Sequence, residues 1–215
     1  MSRPSRQHSA LALAQARLIG VDPVLDELIG RHGPALLPSA PPASRRFSEL
    51  AESIAYQQLN GTAAATIWGR VVEACGGEVT PDALLTAGPD RLRGAGLSGA
   101  KTRSMLDLAG RVAEGTLPLG RIGRLDDEGV IAQLTPVWGI GRWTAQMFLM
   151  FTLGRVDIWP TGDYGVRNGY MLAWGLDDHP TEAEMAAYGE PFEGARSLVA
   201  WYCWRAADTE GGRSG

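Results

Sequence analysis

Apolar residues recur at helical spacing along most of this chain. Phe47, Leu50, Ala51, Ile54 and Ala55 follow offsets of 0, 3, 4, 7 and 8, one stripe of an amphipathic helix. Ala64, Ile67, Trp68, Val71 and Val72 repeat that stripe, and Gly76-Gly77 marks its end. Shorter faces are Val24, Leu25, Leu28 and Ile29, then Met105, Leu108, Ala109 and Val112, then Ala195, Leu198, Val199 and Tyr202. Start signals agree with these stripes. Thr80-Pro81 reads as an N-cap followed by proline at the first helical position. Asp126 is placed to cap a helix carrying Val130, Ile131 and Leu134, and Thr181 and Glu184 have capping-box spacing. Residues 142–153, RWTAQMFLMFTL, are apolar nearly all round and predict a buried helix. No run alternates polar and apolar. GRVDIWP at 154–160 is extended in character but too short to build a sheet. The pattern predicts an all-α fold of nine or ten helices with short loops. SAPPAS at 39–44 is the best linker, and residues 1–8 read as a disordered tail.

Composition narrows this picture. The 215 residues, 45% hydrophobic and 20% charged, suit one globular unit or two lobes sharing a core. No run of about 18 apolar residues spans a membrane, and the N-terminus lacks the long apolar core of a secretory signal. The expected setting is cytoplasmic or otherwise intracellular. Two cysteines, Cys75 and Cys203, cannot hold an iron–sulfur cluster or a cysteine-rich zinc site. His8, His32 and His179 are scattered without metal spacing. The net charge of −4 argues against a nucleic-acid partner when taken alone. Against it stands a local cluster, Arg91, Arg93, Lys101, Arg103 and Arg111, which is either a phosphate footprint or a solvated helix face.

The segment with most chemical content is LTPVWGIGRWT, residues 134–144. A short helix ends, Gly139-Ile140-Gly141 turns tightly, and the buried helix begins near Arg142. Glycines let backbone approach a ligand closely, and a turn opening onto a helix N-terminus presents unpaired N–H groups. That arrangement binds phosphate without side-chain charge, which an acidic protein would need to hold DNA. An ordinary helix–turn–helix corner uses the same residues. After the buried helix comes VDIWPTGDYGVRNG, residues 156–169, with Asp163 in its centre.

Taken in order, FSELAESIAYQQLNGTAAATIWGRVV at 47–72, GLSGAKTRSMLDLA at 96–109, the 134–169 region and GARSLVAWYCWRA at 194–206 resemble the helix-hairpin-helix DNA glycosylase superfamily. Within it, the chain resembles the 3-methyladenine DNA glycosylase II type. The resemblance covers about residues 45 to 208. It implies a compact two-lobed helical bundle with a DNA cleft between the lobes. Residues 1–46 would pack on a 47–208 core, ahead of a flexible 209–215 tail. Asp163 stands where the family carries its catalytic aspartate. Its simpler role is to cap the helix starting near Tyr164, and the two roles are compatible. Bifunctional relatives carry a lysine two residues past the second hairpin glycine. Trp143 occupies that position here, so no Schiff base and no strand cleavage are expected.

The resemblance further implies a base pocket of Trp143, Met147, Tyr164 and Trp204. Met147 departs from a tyrosine in a relative, which puts the substrate range in doubt. DNA contacts would come from Gln58, Leu59, Lys101, Gly139, Gly141, Arg142 and Thr144, with either Gln58 or Leu59 as the wedge. Family hairpins bind a monovalent cation through carbonyls matching Thr135, Val137 and Gly139, but the usual Pro-Gly is Trp138-Gly139 here. No cofactor is expected beyond that candidate Na+ or K+. Asp157 is placed to hold the loop that positions Asp163, and Glu52 is an alternative carboxylate. The expectation is a monomeric, monofunctional glycosylase releasing alkylated purines from damaged double-stranded DNA. The rival readings are a non-catalytic helix-hairpin-helix DNA-binding module and a helical scaffold that never touches DNA.

Overall fold

A computed structural model describes residues 6–38, 40–59 and 61–210. Among them there are helices and turns but no strand, as the stripes predict. Eleven α-helices occur among the described residues, one more than the nine or ten expected, and the chain divides into two units, Met1–Ala40 with Leu149–Gly215, and Pro41–Phe148. The first crossing lies inside SAPPAS, the predicted linker.

The Pro41–Phe148 unit holds α3 (Arg46–Tyr56), α4 (Gly61–Ala74), α5 (Pro81–Gly94), α6 (Gly99–Ala113), α7 (Asp127–Leu134) and α8 (Arg142–Met147). The α3 stripe Phe47, Leu50, Ala51, Ile54 and Ala55 is buried along its whole length. Each fully buried Leu or Ile contributes about 1.5–3 kcal/mol relative to exposure. The predicted caps are in place: Thr80 Oγ1 accepts from Ala83 N at 3.1 Å, and Asp126 Oδ1 accepts from Gly129 N at 2.8 Å. Gly77 N closes α4 on Val72 O at 2.9 Å. Gly88, at φ 69°, ψ 175°, and Pro89 kink α5, because proline lacks the N–H that would continue the ladder.

The other unit holds α1 (Arg6–Leu18), α2 (Pro23–His32), α9 (Tyr164–Trp174), α10 (Glu182–Tyr188) and α11 (Arg196–Glu210). Helix α1 begins at Arg6, so residues 6–8 are helical rather than part of a disordered tail. Residues 1–5 and 211–215 of the expected tails lie outside the described residues, and α11 runs on through 209 and 210. Long-range polar ties join the N-terminal helices to the C-terminal ones. Tyr202 Oη receives Gln15 Nε2 and donates to Gly33 O, both at 2.9 Å. Trp174 Nε1 donates to Asp22 Oδ2 at 3.2 Å. Tyr170 lies between Trp174 and Tyr188, with ring centroids 4.0 and 5.0 Å away and nearly parallel planes. The expected capping box is present: Thr181 N reaches Glu184 Oε2 at 2.7 Å, and Glu184 N reaches Thr181 Oγ1 at 3.2 Å.

The apolar segment 142–153 departs from a regular helix. It is α-helical to Met147 and then makes a π-helical turn over Phe148–Thr152, within which the chain passes from one unit to the other. Trp143 at its start is 46% exposed, so burial is not all round. Such π turns add a residue to one helical turn and reorient the side chains that follow.

Candidate active site

Asp163 is the N-cap of α9. Its backbone is extended, and its Oδ1 accepts from Val166 N at 2.8 Å, satisfying one of the helix's first N–H groups. The same oxygen accepts from Trp204 Nε1 at 3.0 Å. Asp163 is buried, 7% exposed as a residue, so these donors take the place of water around its carboxylate. Trp204 stacks in turn on Phe151, with centroids 5.9 Å apart, and Phe151 belongs to the π turn.

The approach of α11 to α9 depends on two glycines. A Cβ at Gly165 would fall 2.9 Å from Trp204 Cδ1, and one at Gly169 would collide with the carbonyl of Cys203. Glycines at i and i+4 share one helix face, so they open a seam along α9 into which the α11 backbone fits. These two helices make the most extensive contact between elements. Cys203 is fully buried there. Burial first, and the Asp163 charge second, push its thiol pKa well up, so it is an inert thiol.

The loop before Asp163 hangs on the start of α11. Asp157 takes Arg196 Nε and Nη2 at 2.7 Å each and Arg196 N at 3.2 Å. Desolvation raises the Asp157 pKa, but the Arg196 bonds outweigh it and hold the carboxyl below the ordinary range. Ser197 Oγ receives Ile158 N and donates to Arg155 O, both at 2.8 Å. Trp159 Nε1 donates to Met185 O at 2.5 Å. Asp157 thus occupies the loop-holding position assigned to it, and Ser197 shares the task without having been singled out.

In the Pro41–Phe148 unit, Gly139 sits at φ 81°, and a Cβ there would collide with Ser104 Oγ. Gly141 caps α8 at φ −90°, ψ 176°, with open space where its Cβ would be. The turn is held from outside by Asp107, which the sequence did not single out, together with Arg111 and Arg103 of the basic cluster. Asp107 Oδ2 accepts from Trp138 N at 2.7 Å and from Arg111 Nε at 3.0 Å. Desolvation raises the Asp107 pKa, yet the Trp138 N–H and the Arg111 guanidinium together bring it below the ordinary range. Arg103 lies over the Trp138 ring, 4.4 Å from its centroid. Arg103, Asp107, Arg111 and residues 135–141 line a concavity of about 630 Å³. Gln57 Nε2 donates to Gly139 O at 3.3 Å and to Thr144 Oγ1 at 3.2 Å, joining the turn after α3 to the hairpin.

The predicted DNA-contact residues divide accordingly. Gln58 and Leu59 are exposed, and Gln58 is in the left-handed region at φ 56°, the one positive-φ non-glycine among the described residues. Lys101 does not face outward as a free cation. Its Nζ donates to Ala55 O at 2.8 Å, at the C-terminal end of α3, and burial lowers its pKa. Arg142 pairs with Glu128 through both terminal nitrogens, one at 3.0 Å. That bond raises the Arg142 pKa and lowers that of Glu128. Thr144 is buried on Gln57. Arg93 Nη1 donates to Leu97 O at 2.6 Å. Four of the five clustered cations therefore have intramolecular partners, and the cluster is neither a bare phosphate footprint nor a fully solvated face. Of the candidate cation ligands, Val137 O accepts from Ile140 N at 3.0 Å and Gly139 O from Gln57. Each keeps at most one lone pair for an ion. Of the expected pocket residues, Tyr164 and Trp204 flank Asp163 in sequence or by hydrogen bond. Trp143 and Met147 lie on α8 in the other unit. Glu52 is partly buried on α3, where desolvation first and Glu49 second raise its pKa.

Residues 51–193 match the HhH-GPD superfamily of base excision DNA repair proteins. The chain is 31% identical over 203 residues to DNA-3-methyladenine glycosylase 1 of Schizosaccharomyces pombe, covering 92% of this chain and 88% of that protein. It is 34% identical over 174 residues to DNA-3-methyladenine glycosylase of Saccharomyces cerevisiae, covering 76% of this chain and 58% of the yeast protein. Among solved structures, the S. pombe 3-methyladenine DNA glycosylase in complex with abasic DNA superposes with a TM-score of 0.81 at 30% identity. It covers 91% of this chain and 97% of that one. The DNA-3-methyladenine glycosidase of Bacillus halodurans superposes with a TM-score of 0.77 at 30% identity, covering 99% and 94%.

Proposed function

This chain belongs to the HhH-GPD superfamily of base excision DNA repair proteins, and from that premise we propose that it is a monofunctional DNA glycosylase for alkylated purines, with Asp163 as its catalytic carboxylate. The substrates are bases of the 3-methyladenine and 7-methylguanine kind in damaged double-stranded DNA. The observation that carries this reading is the buried Asp163 carboxylate, whose Oδ1 is held by Val166 N and Trp204 Nε1.

N-Alkylation makes the purine cationic, so the glycosidic electron pair leaves with a base that becomes neutral. The sugar passes through an oxocarbenium-like transition state. A carboxylate fixed in a dry setting stabilises that charge more than water would, because its dipolar surroundings need not reorganise. Water adds to the anomeric carbon, and the proton it loses passes to Asp163 or to solvent. Hydrolysis of this kind needs no cofactor. Trp143 stands where a nucleophilic amine would be, so the product is an intact strand with an abasic site.

The base must leave the stack to reach Asp163. We assign the exposed turn at Gln58 and Leu59 to fill the gap, as the family resemblance implies. Gly139, Gly141, Arg142 and Thr144 serve the flanking phosphate backbone, and the carbonyls of Thr135, Val137 and Gly139 are the candidate ligands for a Na+ or K+ there. Lys101 acts indirectly, by holding Ala55 O at the end of α3. Tyr164 and Trp204 offer aromatic surface to a cationic base, worth about 1–2 kcal/mol per good contact. Trp143 and Met147 are assigned to the same role by the resemblance alone. The protein acts as a monomer inside the cell, where its DNA substrate lies. The test is chromatography of free bases released from alkylated DNA. Wild type should release 3-methyladenine or 7-methylguanine, and Asp163→Asn should not. Tight binding without release by the wild type would indicate a DNA-binding module instead.

A further inference from the structure

Tyr164, the first residue of α9 and the neighbour of Asp163, is 70% exposed, which is unusual for a large aromatic. It is not alone at the surface. The His179 ring stacks on it with centroids 5.2 Å apart and planes 28° from parallel. His179 is itself exposed, so the pair contributes little to any core. Both rings project from anchored backbone. Tyr164 follows the Asp163 cap. The residue after His179, Pro180, accepts Arg167 Nε of α9 at 2.6 Å, and Thr181 then opens α10 with its capping box. The loop is therefore fastened to α9 one residue from the imidazole.

We propose that His179 is a positioning residue for base recognition: its imidazole covers one face of Tyr164 and presents the other, beside Asp163, to a cationic alkylated purine. An unstacked tyrosine at a helix N-terminus samples several rotamers, only some of which leave a face toward the carboxylate. Stacking on an imidazole whose loop is fastened to α9 restricts that freedom before the base arrives, so less ordering is required during capture. The inference rests on the glycosylase reading above and adds a residue that the sequence pattern left without a role.

The test is single-turnover release of 7-methylguanine from methylated DNA by wild type, His179→Ala, His179→Phe, Tyr164→Ala and the Tyr164→Ala/His179→Ala double variant, with Asp163→Asn as the blank. His179→Ala should slow release about 3- to 10-fold, the range expected for one aromatic contact. His179→Phe, which keeps a stacking ring, should recover the rate to within about twofold of wild type. The double variant should match Tyr164→Ala, because His179 acts only through that ring. Thermal midpoints should stay together, since both rings are exposed. A wild-type rate in His179→Ala, failure of His179→Phe to recover, or multiplying losses in the double variant would overturn the proposal alone. Wild type releasing no more base than Asp163→Asn would overturn the glycosylase reading and this proposal with it.

Discussion

Two glycine pairs, 139/141 in the hairpin and 165/169 on α9, show how differently the two units prepare their chemistry. On α9 both glycines have ordinary helical backbone, and what matters is the space above them. Side chains there would strike Trp204 and the Cys203 backbone. Asp163 is thereby positioned by close packing, with Trp204 brought in as a donor. In the hairpin, Gly139 needs both its positive φ and its space against Ser104, whereas Gly141 needs neither within the protein. That region is exposed and held by polar ties from Gln57, Asp107 and Arg111. The lesson is that the buried charge depends on close packing as well as on its hydrogen bonds, whereas the surface turn depends chiefly on polar ties. The two should fail in different ways.

The largest effect should come from removing the charge itself. Asp163→Asn keeps the α9 cap and should lose at least about 100-fold in single-turnover base release, at a nearly unchanged melting temperature. Gly169→Ala should break the packing side of the comparison. Its methyl meets backbone that cannot move aside, and about 3 kcal/mol or more of stability should be lost in chemical denaturation. Tolerance of that methyl would show that the helix seam is not what places Asp163. Trp204→Phe should separate shape from hydrogen bonding, since it keeps a ring but removes the donor to Asp163 Oδ1. A charged hydrogen bond is worth about 1.5–3 kcal/mol, so release should fall roughly 10- to 100-fold with little loss of fold.

The hairpin predictions are smaller. Gly139→Ala should cost about 1–2 kcal/mol for the left-handed backbone alone. Gly141→Ala should leave the melting curve in place and weaken binding to abasic-site DNA, measured by titration. Unchanged binding there would remove Gly141 from the DNA interface. The smallest effect concerns pH. The Asp107 carboxyl lies below its ordinary range, so its hold on Trp138 N is present above the unfolded pKa of about 3.9. That hold is lost as pH falls through the depressed folded value. Asp107-linked chemical shifts of the Trp138 amide should therefore stay constant from neutral pH down to about 5 and move only in acid.

Much of this was legible from residues. The α3 stripe, the Thr80, Asp126 and Thr181 caps and the Gly76-Gly77 stop all rest on interactions within a few positions, and spacing alone reports them. Asp163 was legible because it caps its own helix after a turn of recognisable composition. The partners were harder to see. Trp204 reaches Asp163 across 41 positions and Gln57 reaches Thr144 across 87, and no local pattern encodes such pairs. Gly165 and Gly169 carry a usable signal in the sequence, two small residues on one helix face. The basic cluster misled because sequence shows where charges lie along the chain but not which carbonyl or carboxylate each one meets.

By itself, then, the sequence determined an all-helical fold, most of its apolar stripes, several helix caps and the cap position of Asp163, because each follows from local backbone geometry and hydrophobic periodicity. Only the tertiary structure decided which donors hold Asp163, which cations are already engaged and which glycine is required by packing rather than by backbone angle. Those outcomes depend on distances between segments remote in the chain. Side-chain exposure followed the same rule. The local apolar run predicted a buried helix over residues 142–153, yet Trp143 is nearly half exposed and a π turn carries Phe151 onto Trp204.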